Sequence, residues 1–234
     1  MSVPPDGQTA ITRTRAARAV PAALAVAASC LVLVALLGAG VRTGFEPQLR
    51  LDAEVSEALY VGDQRAGAMD GVLEVLTAPG LSWVRFVVFL PVLVLLLRRR
   101  AWWTSAWLVT AVVLVAPLTT LLKDYFGRVR PDFTEGGARY ESLSYPSGHS
   151  SGIATLVTVG LILAWPLLVA RARRWWLVVG ALLVLLVGLT RMWLGVHFLS
   201  DVVGGWALGV AWSLATALVF GAFADGRAAL RPTS

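Results

Sequence analysis

Eleven residues, Arg191-Met192-Trp193-Leu194-Gly195-Val196-His197-Phe198-Leu199-Ser200-Asp201, hold one of only two histidines in this 234-residue chain. Asp201 follows His197 by four positions and Arg191 precedes it by six. If residues 197–201 are helical, imidazole and carboxylate lie one turn apart on one face. A carboxylate there takes the Nδ1 proton, fixes the tautomer and leaves Nε2 as a lone-pair nucleophile. Arg191 supplies a fixed cation for whatever anion that nitrogen attacks. The plainer reading is a helix-end histidine beside a chance acid, and a short motif alone admits both.

Two further stretches carry chemistry-bearing residues. Lys123-Asp124-Tyr125-Phe126-Gly127-Arg128-Val129-Arg130-Pro131 contains the sole lysine among nineteen arginines. Lys123 and Arg130 are seven apart, so a helix places both cations on one face, with Pro131 ending that helix or setting a turn. Pro146-Ser147-Gly148-His149 stands before an apolar run and contains the other histidine. Gly148 permits close backbone approach, and free amides at a helix N-terminus suit an anion. Ser147 either caps that helix or donates to a phosphate oxygen, and His149 stands beside the anion as a proton donor. An ordinary helix cap with a spectator histidine accounts for the same four residues. Arg128 and Asp132 lie nearby and are assigned no role.

The elements that must position these residues are membrane helices. The chain is 57% hydrophobic and 15% charged, against roughly 25% charged in an average soluble domain, and its mean hydropathy is +0.73. Its single cysteine, Cys30, excludes an intramolecular disulfide and reads as a buried spectator thiol. Ala19–Val41 carries no charge over 23 residues and exceeds the ~30 Å hydrocarbon thickness, so it spans. Further spans are read at Gly80–Leu97, Ala101–Leu122, Gly152–Ala170, Trp175–Thr190 and Val202–Ala224. Arg85 stands near the outer end of the second, where its stem can snorkel. The fifth is the shortest, which sets Arg191 and His197 slightly below the membrane surface. Residues 42–79 contain two apolar stripes at helical spacing (Leu51, Val55, Ala58, Leu59 and Val72, Leu73, Leu76). They form either two amphipathic helices on the membrane or a soluble lid. The predicted fold is an all-α integral membrane protein of six transmembrane helices, with short amphipathic interfacial helices between the first two.

Charge sets the expected orientation. With the N-terminus inside, the inner segments hold Arg13, Arg15, Arg18, Arg98, Arg99, Arg100, Arg171, Arg173, Arg174, Arg227 and Arg231. The outer 42–79 segment has three arginines against seven carboxylates (Glu46, Asp52, Glu54, Glu57, Asp63, Asp70, Glu74). That follows the positive-inside rule. It makes residues 1–18 a poorly ordered cytoplasmic tail, 19–224 the membrane domain, 123–151 an outer catalytic loop and 225–234 a cytoplasmic tail. The net charge of +6 therefore reflects topology, and nucleic acid is not an expected partner. A basic cluster at 123–130 on the outer side opposes the rule, and an anion it must hold explains it better. Gly205 and Gly209, a small-xxx-small pair, read as close packing within the bundle in preference to a dimer face.

Both histidines, the lysine and the arginines fall at the outer ends of the third, fourth and fifth spans. Charged groups at membrane depth are costly and usually functional. One nucleophile, one acid and three cations around a common anion are equipment for phosphoryl transfer without a metal. No acid cluster or Cys/His set has metal-ligand spacing.

Lys123-x6-Arg130-Pro131, Pro146-Ser147-Gly148-His149 and Arg191-x5-His197-x3-Asp201 together resemble the three signature motifs of the type-2 phosphatidic acid phosphatase superfamily. The resemblance covers roughly residues 80–223. It implies that His197 attacks phosphorus to form a phosphohistidine while Asp201 orients it. It implies that His149 protonates the leaving oxygen and then activates water. Lys123, Arg130, Arg191, Ser147 and the Gly148 amide would hold the phosphate oxygens, with no metal or cofactor. The third motif usually begins Ser-Arg; here it begins Thr190-Arg191, which keeps a hydroxyl. The expected function is a phosphatase of the cell membrane acting on a lipid phosphate or diphosphate, such as a polyprenyl diphosphate (undecaprenyl diphosphate, for instance), phosphatidic acid or phosphatidylglycerophosphate. A phosphotransferase to a lipid or sugar acceptor, and a non-catalytic anion- or lipid-binding membrane protein, are the alternatives.

Overall fold

The computed structural model describes residues 6–62, 67–133, 141–223 and 226–230, with the side chains of 6–18 and 67 excluded. Parts of the expected tails (1–5, 225, 231–234), of the 42–79 segment (63–66), of the 123–151 loop (134–140) and Ala224 lie outside the described residues. Eight α-helices follow one another: α1 Asp6–Thr43, α2 Glu46–Leu59, α3 Gly67–Thr77, α4 Ser82–Arg98, α5 Trp102–Phe126, α6 Gly148–Ala164, α7 Ala170–Trp193 and α8 Leu199–Phe220. A 3-10 turn at Ala78–Gly80 joins α3 to α4, and another at Trp165–Leu167 extends α6.

Five of these helical stretches are long and apolar enough to cross a membrane, and the α3–α4 pair, bent by 47°, makes up to six. At 1.5 Å per residue the 17 residues of α4 reach only ~26 Å, so the bend decides how that span begins. The large apolar side chains left uncovered, such as Leu24, Leu36, Val87, Leu90, Leu121 and Leu182, sit on these helices as a lipid-facing surface requires.

Helix α8 is the hub: 56% of its most apolar window is buried against 17% for α1, and it packs chiefly on α6 and α1. Small residues make this approach possible. A methyl group at Gly205 would stand 2.6 Å from the Ser147 carbonyl oxygen, and one at Gly209 would stand 2.7 Å from the Ala154 Cβ. Gly205 and Gly209 thus serve packing between α8 and α6. Gly209→Val is expected to overpack that seam at a cost of roughly 1–3 kcal/mol, read as a lower Tm of the purified protein in detergent. An unchanged Tm would mean that the seam relaxes freely.

Several boundaries differ from the sequence reading. Helix α1 begins at Asp6 and runs through most of the segment expected to be a tail. Helix α7 has 24 residues and is longer than α4 and α6, not the shortest span. It starts among Arg171, Arg173 and Arg174, residues compatible with a helix interior, and runs on through Trp193. Helix α8 starts three residues early and stops at Phe220, because Gly221 takes a left-handed conformation (φ 67°). Residues 226–230 fold back on α5, where Thr104 donates to the Ala228 carbonyl (3.0 Å). Cys30 is only partly buried, against Val34, Ala207 and Leu208.

Candidate active site

Helix α5 ends at Phe126 because Gly127 adopts φ 69° and caps it. Lys123 therefore stays on the helix, while Arg130 lies beyond it, outside any helix. The seven-residue helical spacing is thus not what aligns the two cations, and Gly127, not Pro131, ends the helix. They meet instead at one carbonyl: Lys123 Nζ donates to Leu143 O, and Arg130 Nη2 reaches the same oxygen at 3.5 Å. Arg130 is further fixed by Ser142, whose carbonyl accepts from Nε (2.7 Å) and whose hydroxyl accepts from Nη2 (2.9 Å).

His197 is not helical either; it precedes α8, whose N-cap is Phe198. The turn at Gly195 (φ 68°) carries the chain from the end of α7 to this position. Asp201, in the first turn of α8, accepts the Phe198 backbone N–H at 2.9 Å and lies 3.3 Å from His197 Nδ1. On the other side of the ring, Nε2 stands 3.1 Å from Arg130 Nη1. A guanidinium has only donors, so Nε2 must accept and the ring proton sits on Nδ1. This leaves the Nε2 lone pair pointing at the cation that would receive a phosphate oxygen.

His197 is 2% exposed. Burial, then the charges of Arg130 and Arg191, push its pKa down, while Asp201 opposes them. The imidazole is held neutral, as a nucleophile must be. Because the folded-state value lies below the unfolded one of about 6.5, the unfolded chain takes up a proton that the folded one refuses as pH falls. Stability tied to His197 is thus present above that value and lost below it. The ¹⁵N signals of His197 are expected to keep the Nδ1–H neutral pattern from pH 7 to 5; a titration centred near 6.5 would contradict the arrangement.

The remaining expected site residues gather at this end of the bundle. Ser147 caps α6 by accepting from the Ser150 N–H (3.5 Å), and its own N–H donates to the Asp201 carbonyl (2.9 Å). A side chain at Gly148 would meet nothing within 4 Å, so space is open beside the backbone there. His149, Gly148 and Lys123 line one cavity of about 220 Å³. His149 lies within electrostatic reach of Arg191, His197, Arg130 and Lys123. Arg191, 2% exposed, offers its carbonyl to the Val196 N–H (3.1 Å).

Three further residues lock this geometry. Arg128 Nη1 donates to Asp201 Oδ1 (2.9 Å) and Ser200 Oγ (2.7 Å), while Nη2 donates to Asp52 Oδ2 (2.7 Å). Asp52, on α2, also accepts from the Ser200 N–H (2.8 Å) and hydroxyl (2.6 Å). Ser144 donates to Asp201 Oδ2 and lies 3.3 Å from His197 Nδ1. The Asp201 carboxylate is thereby held from four sides. Helix α2 turns its polar side inward: Asp52 and Ser56, four apart, are its buried residues, while Leu51 of its apolar stripe is 52% exposed. Helix α2 is pinned over the end of the bundle by polar contacts.

The chain belongs to the PAP2 superfamily, whose profile matches residues 102–224, just over half its length. It is 40% identical over 96 residues to phosphatidylglycerophosphatase B of Bacillus subtilis (40% of this chain, 46% of that protein). It is 39% identical over 130 residues to lipid A 1-phosphatase of Rhizobium etli (50% of this chain, 51% of that protein). The chain therefore spans about half the length of the curated relatives it matches. The crystal structure of a transmembrane PAP2-type phosphatidylglycerolphosphate phosphatase from Bacillus subtilis superposes with a TM-score of 0.65 at 27% identity, covering 81% of this chain and 93% of that one. Aquifex aeolicus LpxE shares the fold, with a TM-score of 0.52 at 22% identity over 71% of this chain and 94% of that one.

Proposed function

We propose that this multi-pass membrane protein is a metal-independent phosphatase that hydrolyses a membrane lipid phosphate or diphosphate through a phosphohistidine. The observation that carries the reading is His197 suspended between Asp201 at Nδ1 and Arg130 at Nε2. A neutral imidazole needs its proton on the carboxylate side and its lone pair beside a cation, and both conditions hold.

In the first step Nε2 bonds to phosphorus and the bond from phosphorus to the lipid oxygen breaks. His149 delivers a proton to that oxygen, and the incoming dianion supplies the countercharge that lets an imidazole hold a proton among so many cations. Lys123, Arg130 and Arg191, with Ser147 and the Gly148 amide, take the charge spread over the phosphoryl oxygens. In the second step His149, now neutral, removes a proton from water, the water oxygen bonds to phosphorus, and the P–N bond breaks. Inorganic phosphate leaves and His197 regains its lone pair.

The substrate is a lipid because the site lies where helices meet the end of a bundle sheathed in apolar side chains, and the relatives act on lipids by name. Arginine-rich segments at the opposite ends of the helices favour an extracytoplasmic site with both termini in the cytoplasm. Release of inorganic phosphate from a panel of lipid phosphates by the purified protein tests the activity. Phosphate released to water supports a hydrolase, phosphate recovered on an added lipid or sugar acceptor replaces it with a transferase, and binding without turnover removes the enzyme altogether.

A further inference from the structure

Arg85, in the first turns of α4, does not snorkel. It is 1% exposed and faces into the bundle. Its Nη1 donates to the Gly80 carbonyl (3.2 Å) and its Nη2 to the Ser82 hydroxyl (3.1 Å), while its Nε has no hydrogen-bond partner among the described residues. No carboxylate forms an ion pair with it among those residues. A buried cation compensated only by one carbonyl and one hydroxyl is expensive in a membrane protein and marks an ion or substrate path. Space has been made for it: a methyl group at Gly152 of α6 would overlap Arg85 Nη1 and the Gly80 oxygen.

The cavity that Arg85 lines is the one holding Lys123, Gly148 and His149. His197, Asp201 and Arg191 do not line it. In an in-line displacement the leaving oxygen departs from the side of phosphorus opposite Nε2, toward the acid that protonates it. With His149 as that acid, the cavity it lines receives the leaving group. A leaving alcohol is neutral and has no use for a second buried cation beside Lys123. A leaving group that carries its own phosphate does.

We infer that Arg85 and this cavity form an anion subsite for a second phosphate, located in the leaving group of the lipid substrate. The subsite rests on the phosphatase reading above and narrows its substrate class to lipids with two phosphates near one end. Those are lipid diphosphates, whose second phosphate adjoins the scissile one, and lipids whose phosphodiester lies a few bonds away. Phosphatidic acid, with one phosphate, leaves the subsite without a ligand.

The test compares kcat/KM for farnesyl diphosphate, phosphatidylglycerophosphate and phosphatidic acid, using the full-length protein in detergent with Arg85→Gln and Arg85→Lys. For Arg85→Gln, the preference for one or both two-phosphate lipids over phosphatidic acid is expected to fall on the order of 10–100-fold, the scale of a lost charge-assisted hydrogen bond. Arg85→Lys, which keeps the charge but not the fork, is expected to retain most of that preference. The substrate whose preference falls identifies which second phosphate the subsite takes. Equal losses on all three substrates, or no change in preference, overturn the subsite. If Arg85→Gln cannot be purified folded, competition by methylenediphosphonate against inorganic phosphate is measured on the wild type and Arg85→Lys. A stronger hold on the diphosphonate in both proteins supports the subsite, and equal inhibition by the two anions in either overturns it. Failure of the phosphatase reading itself is separate: it shows as no phosphate released from any of the three lipids by the wild type, or, for the role of His197, as release that survives His197→Ala, whatever Arg85 does.

Discussion

His197→Ala is expected to abolish phosphate release from any lipid phosphate, with a loss well beyond the ~10²–10⁴-fold typical of removing a general acid. The side chain is buried and its Nε2 lone pair is placed against a cation by a ring fixed on its other side. Without it there is no atom to receive the phosphoryl group, and water would have to attack without a covalent step. His149→Ala has a different signature. Its loss should be largest for alkyl leaving groups, which need a proton, and smaller for an aryl phosphate, whose leaving group does not. Measuring phosphate release with a lipid phosphate and with p-nitrophenyl phosphate separates the two roles. Equal losses on both substrates for His149→Ala would remove it as the acid.

The second large effect is expected at a residue that touches no substrate. Arg128 is a buried bridge between Asp52 and Asp201, at 2.7 and 2.9 Å. Arg128→Met leaves two buried carboxylates facing one another without their cation, and breaking a buried pair in this way costs about 3–5 kcal/mol. Asp201 would also lose one of the contacts that aim it at Nδ1, so activity and Tm should fall together. Adding Asp52→Asn removes one of the stranded charges and should restore part of the Tm, which makes the two changes strongly non-additive. Chemical denaturation and thermal scans in detergent measure this. A single variant with native Tm and native kcat would mean that α2 and Arg128 do nothing for the site.

Much of this arrangement was legible before any coordinates, because the residues concerned are rare in their surroundings. A lone lysine among arginines and two histidines in an apolar chain stand out by type. Their spacing to Pro131, Ser147 and Asp201 defines the motif, although two of those spacings are not helical in the structure. Lys123 and Arg130 are joined by a glycine-capped turn, and His197 precedes its helix. A shared face on a helix and a shared carbonyl in a loop both bring two side chains together, and periodicity cannot tell them apart. Asp52 was hidden for another reason. It sits 149 residues before Asp201 in a helix whose apolar stripe suggested the membrane surface, whereas its polar side is what packs. Arg85 looked like a residue at a helix end, where a long stem reaches water, and only the approach of Gly80 and Gly152 shows that it turns inward.

The central claim is a covalent bond from phosphorus to His197 Nε2. Brief incubation with a ³²P-labelled lipid phosphate, followed by denaturation in alkali, should leave label on the protein that acid releases, as a phosphoramidate requires. That label should be present in the wild type and absent from His197→Ala. Label retained by His197→Ala, or steady turnover with no labelled protein at any time, would contradict it.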